Sequence, residues 1–252
     1  MDNTQNFTGR AQAYTAGRPS YAAELLDRLY ADYGFSTASA IADVGSGTGK
    51  FSRQLLDRGS EVFCVEPNGD MRAAAEAELA GYPRFHSIDG TADDTTLGAH
   101  AVDFVTVAQA FHWFDGERFR AECRRILKPG GRVVLLWNTR VLTAPLNRAC
   151  IDLFTRHCPG FHGLNGGVQE DDMRIQSFFR GKYERITCDN TLHFDRERFL
   201  SRILSSSYSL REGDPGFAEY QKDFYALFDR FAADGTVEMP NQTTAYIGTV
   251  DE

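Results

Sequence analysis

The stretch Asp43-Val44-Gly45-Ser46-Gly47-Thr48-Gly49-Lys50-Phe51 spaces glycines at alternate positions and follows them with a lysine. A glycine-rich turn between a strand and a helix points backbone amides outward, a common way of holding part of a nucleotide. Spacing excludes two such chemistries. A P-loop needs a glycine five residues before its Gly-Lys pair and a hydroxyl residue after it, for magnesium. Val44 and Phe51 stand at those places. A dinucleotide fingerprint needs a third glycine for close helix–strand approach, and Lys50 occupies that position. What is left, D-x-G-x-G-x-G, is a tight turn with exposed amides. Glu66 closes the next apolar run, "EVFCVE" (61–66). A carboxylate there can accept from both ribose hydroxyls of a nucleoside and fits poorly beside a 2′-phosphate.

Three further blocks accompany these residues: "VEPNGDM" (65–71), "VTVAQAFHWFD" (105–115) and "ILKPGGRVVLLWN" (126–138). As a set, over about residues 40 to 140, they resemble class I S-adenosylmethionine-dependent methyltransferases. The likeness is greatest to the small-molecule branch, of the methyltransferase type 11 or trans-aconitate methyltransferase kind. The resemblance implies S-adenosyl-L-methionine as cofactor, held by Asp43, Gly45, Ser46, Gly47, Thr48, Gly49 and Glu66. Asp43 would organise the turn and reach the methionine amine through water. Asn68 and Met71 would lie against the adenine, although Asn68 also suits a helix N-cap and Met71 a core position. In "DGTADD" (89–94), Thr91 and Ala92 fall at the adenine edge, where many relatives have an acidic residue. Asp89 and Asp93 are displaced candidates for that contact. Gln109 would end beside the sulfonium.

The acceptor must arrive where "QAFHWF" (109–114) ends its strand. His112 is read as pocket-lining or as a general base. Trp113 and Phe114 from one side, and Trp137, Arg140 and helices within 196–233 from the other, would wall the acceptor pocket. Arg140 could receive a carboxylate in a bidentate fork. Tyr14, a further candidate for the acceptor pocket, precedes an "RPSY" segment (18–21) that begins with Arg18 and ends with Tyr21 and that relatives fold over the cofactor, with Arg18 aimed at the methionine carboxylate. In-line approach to a sulfonium is mainly a matter of positioning. A base is needed only where the nucleophile must shed a proton early.

The elements that must position these groups alternate: strands at 39–44, 61–66, 84–88, 102–109 and 132–138, helices at 50–58, 69–80 and 116–127. Such alternation implies a parallel sheet with helices on both faces and a ligand at the strands' carboxyl ends. Ser20 reads as the N-cap of a preceding helix. After Asn138 the rhythm changes, to helices at 145–157, 170–180, 196–205 and 215–233 with strands in "YERITCDNTLHF" (183–194) and "QTTAYIGTV" (242–250). The expectation is therefore an α/β, Rossmann-like, seven-stranded, mostly parallel sheet with a small helical cap. Residues 1–38 would form a lid and first helix, 39–140 the cofactor-binding core, and 141–252 the cap and edge strands.

The 252 residues carry 27 basic and 35 acidic side chains, a net charge of −8, which opposes a polyanionic nucleic-acid substrate. No apolar run approaches the ~18 residues of a membrane span, and the first residues do not read as a signal peptide. Five scattered cysteines without a C-x-x-C pair suit a reduced, cytoplasmic compartment. His157, Cys158 and His162 match no zinc spacing, so no metal is expected. The expected partner is a small-molecule acceptor, with neither nucleic acid nor membrane. The competing readings are a methyltransferase acting on protein or nucleic acid, and a non-catalytic S-adenosylmethionine-binding protein.

Overall fold

The structure is a computed structural model that describes residues 19–164, 172–206 and 208–250. α1 (Ala23–Asp32) leads into β1 (Ala40–Val44), α2 (Lys50–Leu56), β2 (Glu61–Val65), α3 (Gly69–Leu79) and β3 (Phe85–Ile88). β4 (Val102–Ala108), α4 (Gly116–Ile126) and β5 (Leu127–Arg140) follow. The second half supplies α5 (Pro145–His157), α6 (Met173–Phe179), β6 (Tyr183–Asp189) and β7 (Leu192–Phe194). α7 (Arg196–Leu204), α8 (Phe217–Phe231), β8 (Val237–Met239) and β9 (Asn241–Gly248) complete it.

Seven strands form one sheet in the order β3-β2-β1-β4-β5-β9-β6. The first five run parallel, and β9 lies antiparallel between β5 and β6. This is the Rossmann-like sheet the alternation predicts. β1 is buried at every position, as a central parallel strand covered on both faces must be. Because side chains alternate across a strand, β1 feeds two cores. Ala40, Ala42 and Val44 join Val107, Leu135 and Trp137 beneath α4 and α6. Ile41 joins Phe104, Val134 and Leu136 beneath α1 and α2. The strand order reverses between β1 and β4, and such a reversal opens a crevice beyond the carboxyl ends.

A third core stands apart from the sheet. Phe154 of α5, Phe199 of α7 and Tyr220, Phe224 and Phe228 of α8 pack together against Val237 and Met239.

Three boundaries differ from the sequence expectation. Ser20 does not cap α1: the helix starts at Ala23 without a side-chain cap, and the Ser20 carbonyl instead accepts from Asn138 and Asn190. The 183–194 run is not one strand. It breaks at Asn190, after which β7 leaves the large sheet and pairs with β8. β5 begins at Leu127, which pairs with Val102, and the pairing then skips Lys128 to Gly131 and resumes at Phe104 and Arg132.

Candidate cofactor and active site

A cleft opens at the strand-order reversal. The turn from Gly45 to Thr48 lines it, together with Lys50 and Phe51 of α2, Ala108 and Gln109 at the end of β4, and Asn138 of β5. Pro19 and Tyr21 complete the wall. The Gly45 and Ser46 amides donate to the Val65 carbonyl at 2.8 and 3.2 Å, which ties the turn to β2. The glycines serve two different needs. A Cβ at Gly45 would stand 2.7 Å from Ala110 Cβ, and one at Gly49 would stand 2.6 Å from a Leu79 methyl. Gly47 has φ +56° and a Cβ there would meet nothing within 4 Å. It is the glycine that leaves room for a ligand.

Glu66 faces this turn. Its Oε2 accepts from the Gly47 amide at 3.0 Å and its Oε1 from the Asn68 amide at 2.9 Å. Burial raises its pKa, against the lowering effect of those two amides and of Arg72. Arg72 was not legible as a site residue. It donates to the Glu66 and Pro67 carbonyls and forks onto both oxygens of Asp89 at 3.0 and 3.1 Å. Asp89 is thereby engaged in joining the end of β3 to α3. Thr91 donates to Asp93 at 2.7 Å and receives the Asp94 amide at 3.1 Å, which closes the 91–94 turn on itself. Ala92 packs against the core edge. Asn68 caps α3 through the Met71 amide at 3.0 Å, and Met71 is buried.

Asp43 lies behind the turn and is fully buried. Ser52 and Thr106 hydroxyls donate to it at 2.6 and 2.9 Å. It thus fastens β1 to α2 and β4. Burial, opposed by these two hydroxyls and assisted by the Glu66 charge, pushes its pKa from the ordinary 3.8 to about 6. Between those values the folded chain holds this proton more tightly than the unfolded chain, so its contribution to stability is lost as pH rises from about 4 through 6. The full effect is on the order of 3 kcal/mol. Asp43→Asn removes the titration. Relative to wild type, the variant is expected to gain up to about that much stability between pH 4 and 7. Urea unfolding at several pH values measures it, and a pH-independent difference between the two proteins would contradict the assignment.

On the other side of the cleft, Gln109 adopts φ +61°, a strained conformation for a residue with a side chain. Its amide donates to the Leu136 carbonyl at 2.9 Å and its side chain to the Asn138 carbonyl at 3.0 Å. A 3₁₀ turn over Phe111–Trp113 follows. Trp113 is 48% exposed. His112 packs on the Trp113 ring at 4.8 Å, with Nδ1 buried. Arg174, and to a lesser degree His112, holds the Asp172 carboxyl below its usual range, so the start of α6 faces this turn.

Three expected pocket residues lie elsewhere. Trp137 is 2% exposed and packs edge-on to Phe111 and Tyr246. The alternation of β5 puts it on the face opposite Asn138. Phe114 supports Gly45 from beneath and packs on Phe119. Arg140 is 6% exposed, pairs in register with Asn241, and its charge acts on the Cys150 thiol of α5. Tyr14 and Arg18 lie outside the described residues. Lys50, Phe51, Ala108 and Asn138 line the cleft without having been expected there, whereas Pro19 and Tyr21 belong to the "RPSY" segment. A polar residue closing the apolar run "VVLLW" beside the β4 end is the signal that marks Asn138. Among the described residues no His, Cys, Asp and Glu group is arranged to hold a metal, and no helix is long and apolar enough to cross a membrane.

Residues 42–135 match the family model of a methyltransferase domain. The match takes in the glycine turn, β2, β3, β4 and much of β5. An uncharacterized methyltransferase of Mycobacterium tuberculosis is 40% identical over 139 residues, 55% of this chain and 54% of the relative. An uncharacterized methyltransferase-like protein of Schizosaccharomyces pombe is 33% identical over 133 residues, 52% of this chain and 51% of the relative. The chain thus spans about half the length of these curated relatives. A solved structure from Anaeromyxobacter dehalogenans, a candidate type II methyltransferase, superposes with a TM-score of 0.59 over 92% of this chain and 98% of that one. At 23% identity that likeness is one of fold.

Proposed function

We propose that the chain transfers the sulfonium methyl group of S-adenosylmethionine to a small-molecule acceptor by in-line displacement. The observation that carries this reading is the convergence, at one strand-order reversal, of an open-faced Gly47 with the amide-oriented Glu66 carboxylate. The cleft suits the cofactor in a further respect. Ser46 lines it with a buried hydroxyl. When bound, S-adenosylmethionine supplies a methyl group on an electrophilic sulfonium that needs no covalent help from the protein. The chain's own task is orientation and exclusion of water. Glu66 presents two aligned oxygens to ribose hydroxyls, the turn gives backbone room, and Gln109 and Asn138 fix the wall at the ends of β4 and β5.

The acceptor side is assigned to the Phe111–Trp113 turn and the facing start of α6, with α5, α7 and α8 as a cap whose core is their own. His112→Ala is expected to lower turnover about tenfold or more while cofactor affinity stays within twofold. Equal turnover in the variant removes His112 from the acceptor site.

The acidic balance disfavours a nucleic-acid acceptor. β4 is also followed by Gln109-Ala110-Phe111-His112 rather than the Asn/Asp-Pro-Pro-Tyr box of amino-methylating macromolecular enzymes. The test is isothermal titration with S-adenosylmethionine and S-adenosylhomocysteine, then release of the latter over a metabolite panel. Failure to bind either sinks the reading. Binding with no product release from any acceptor, macromolecules included, would make the chain a non-catalytic binder.

A further inference from the structure

One wall of the cleft is not a regular element but the segment from Pro19 to Ala22, and one side chain holds much of it. Asn138 Nδ2 donates to the Pro19 and Ser20 carbonyls at 3.4 and 3.1 Å. Its Oδ1 accepts from Asn190 Nδ2 at 3.1 Å and from the Thr243 hydroxyl at 2.5 Å. Asn190 also donates to the Ser20 carbonyl at 2.8 Å, and the Thr243 hydroxyl accepts the Ala22 amide at 2.9 Å. On the α2 side, Gln54 exchanges two hydrogen bonds with the backbone of Tyr21, each 3.0 Å. The segment is therefore clamped from β5, β6–β7, β9 and α2, with Asn138 as the only one of these clamps whose residue also lines the cleft. The backbone carbonyl of the same residue receives the Gln109 side chain.

We propose that Asn138 is a positioning residue that fixes the Pro19–Ala22 segment as the wall of the cofactor cleft. This rests on the cleft binding S-adenosylmethionine. The amide head of Asn138 is fully used: two donor directions reach carbonyls of the segment, and two acceptor directions are filled by groups that set the amide's orientation. A carboxylate in its place would face the Pro19 and Ser20 carbonyls with acceptors only. The side chain and the carbonyl of Asn138 act on different partners, and this separates their effects. Removing the side chain loosens Pro19 and Tyr21 while the carbonyl still holds Gln109, so cofactor binding suffers and the chemical step does not.

Asn138→Ala, Asn138→Asp and Asn190→Ala, with wild type, are compared by S-adenosylmethionine titration, steady-state kinetics, thermal melting and amide hydrogen exchange at Tyr21 and Ala22. Asn138→Ala is expected to raise the dissociation constant and KM for the cofactor about tenfold, with kcat within threefold, and to speed exchange at both amides. Asn138→Asp should match or exceed it, and Asn190→Ala should show about a threefold rise. Cofactor affinity within twofold of wild type in folded Asn138→Ala and Asn138→Asp overturns the proposal. So does a fall of kcat in step with melting temperature, the mark of a merely structural role. Should Asn138→Ala fail to fold, Asn190→Ala alone decides, and unchanged affinity there is the overturning result. Wild type that binds no S-adenosylmethionine would fell the proposed function itself, and this inference with it.

Discussion

Gly47→Val is expected to abolish S-adenosylmethionine binding in a chain that still folds. The reasons lie in where each glycine of the turn points. At Gly47 an added Cβ meets no atom within 4 Å, so the substitution creates no clash with the protein. The penalty is confined to φ +56°, which costs a residue with a side chain about 1–2 kcal/mol. Most domains survive a loss of that size. The new isopropyl group, however, projects into the space where a ligand's polar atoms must come within hydrogen-bond distance of backbone. It also stands beside the amide that orients Glu66. A rise of more than a hundredfold in dissociation constant is expected, with a melting temperature only a few degrees lower.

Gly45→Val and Gly49→Val make the contrast. Their side chains would strike Ala110 and Phe114, or Leu79 and Ala75, and both should lose stability before affinity can be measured. Titration together with circular dichroism distinguishes the cases. A native-like Gly47→Val protein that binds the cofactor as wild type does would show that the cleft is not the cofactor site.

The glycine turn, its two flanking strands and the carboxylate at the end of β2 could be read from the sequence because each depends on local spacing. Alternating glycines force a turn wherever they occur, and a buried parallel strand shows its apolar run whatever surrounds it. The departures have tertiary causes. Ser20 has the right residue type for a cap, but its carbonyl is drawn to Asn138 and Asn190, over a hundred residues away. Trp137 sits at the correct end of the correct strand, yet one position from Asn138 means the opposite face of the sheet. Asp89 has the chemistry for an adenine amine, and its fork from Arg72 of the preceding helix is a contact that no spacing announces. β8 and its pairing with β7 are three residues long and carry no periodicity to read.

Glu66→Ala should weaken cofactor binding by about 1.5–3 kcal/mol, the range for hydrogen bonds to a charged group, and Glu66→Gln should show why. In the wild type both carboxylate oxygens are already oriented by backbone amides, which leaves lone pairs for two ribose donors. Only the ionised form accepts in both places. Burial raises the pKa of Glu66, so protonation begins at a higher pH than for an exposed glutamate. Affinity is therefore expected to be constant near neutrality and to fall as the solution is acidified through that raised pKa. Asp43 also titrates, at about 6, and the two charges oppose each other. An Asp43→Asn background removes that second titration and leaves the step due to Glu66. Glu66→Gln keeps the size of the side chain and one acceptor oxygen, but it cannot titrate. Its affinity should lie between those of wild type and Glu66→Ala and should stay flat with pH. Titration of S-adenosylmethionine from pH 4.5 to 8 in the three proteins measures the effect. If Glu66→Gln reproduces the wild-type pH profile, the carboxylate is not the ribose acceptor. If Glu66→Ala binds as tightly as wild type, the ribose does not lie against β2 at all.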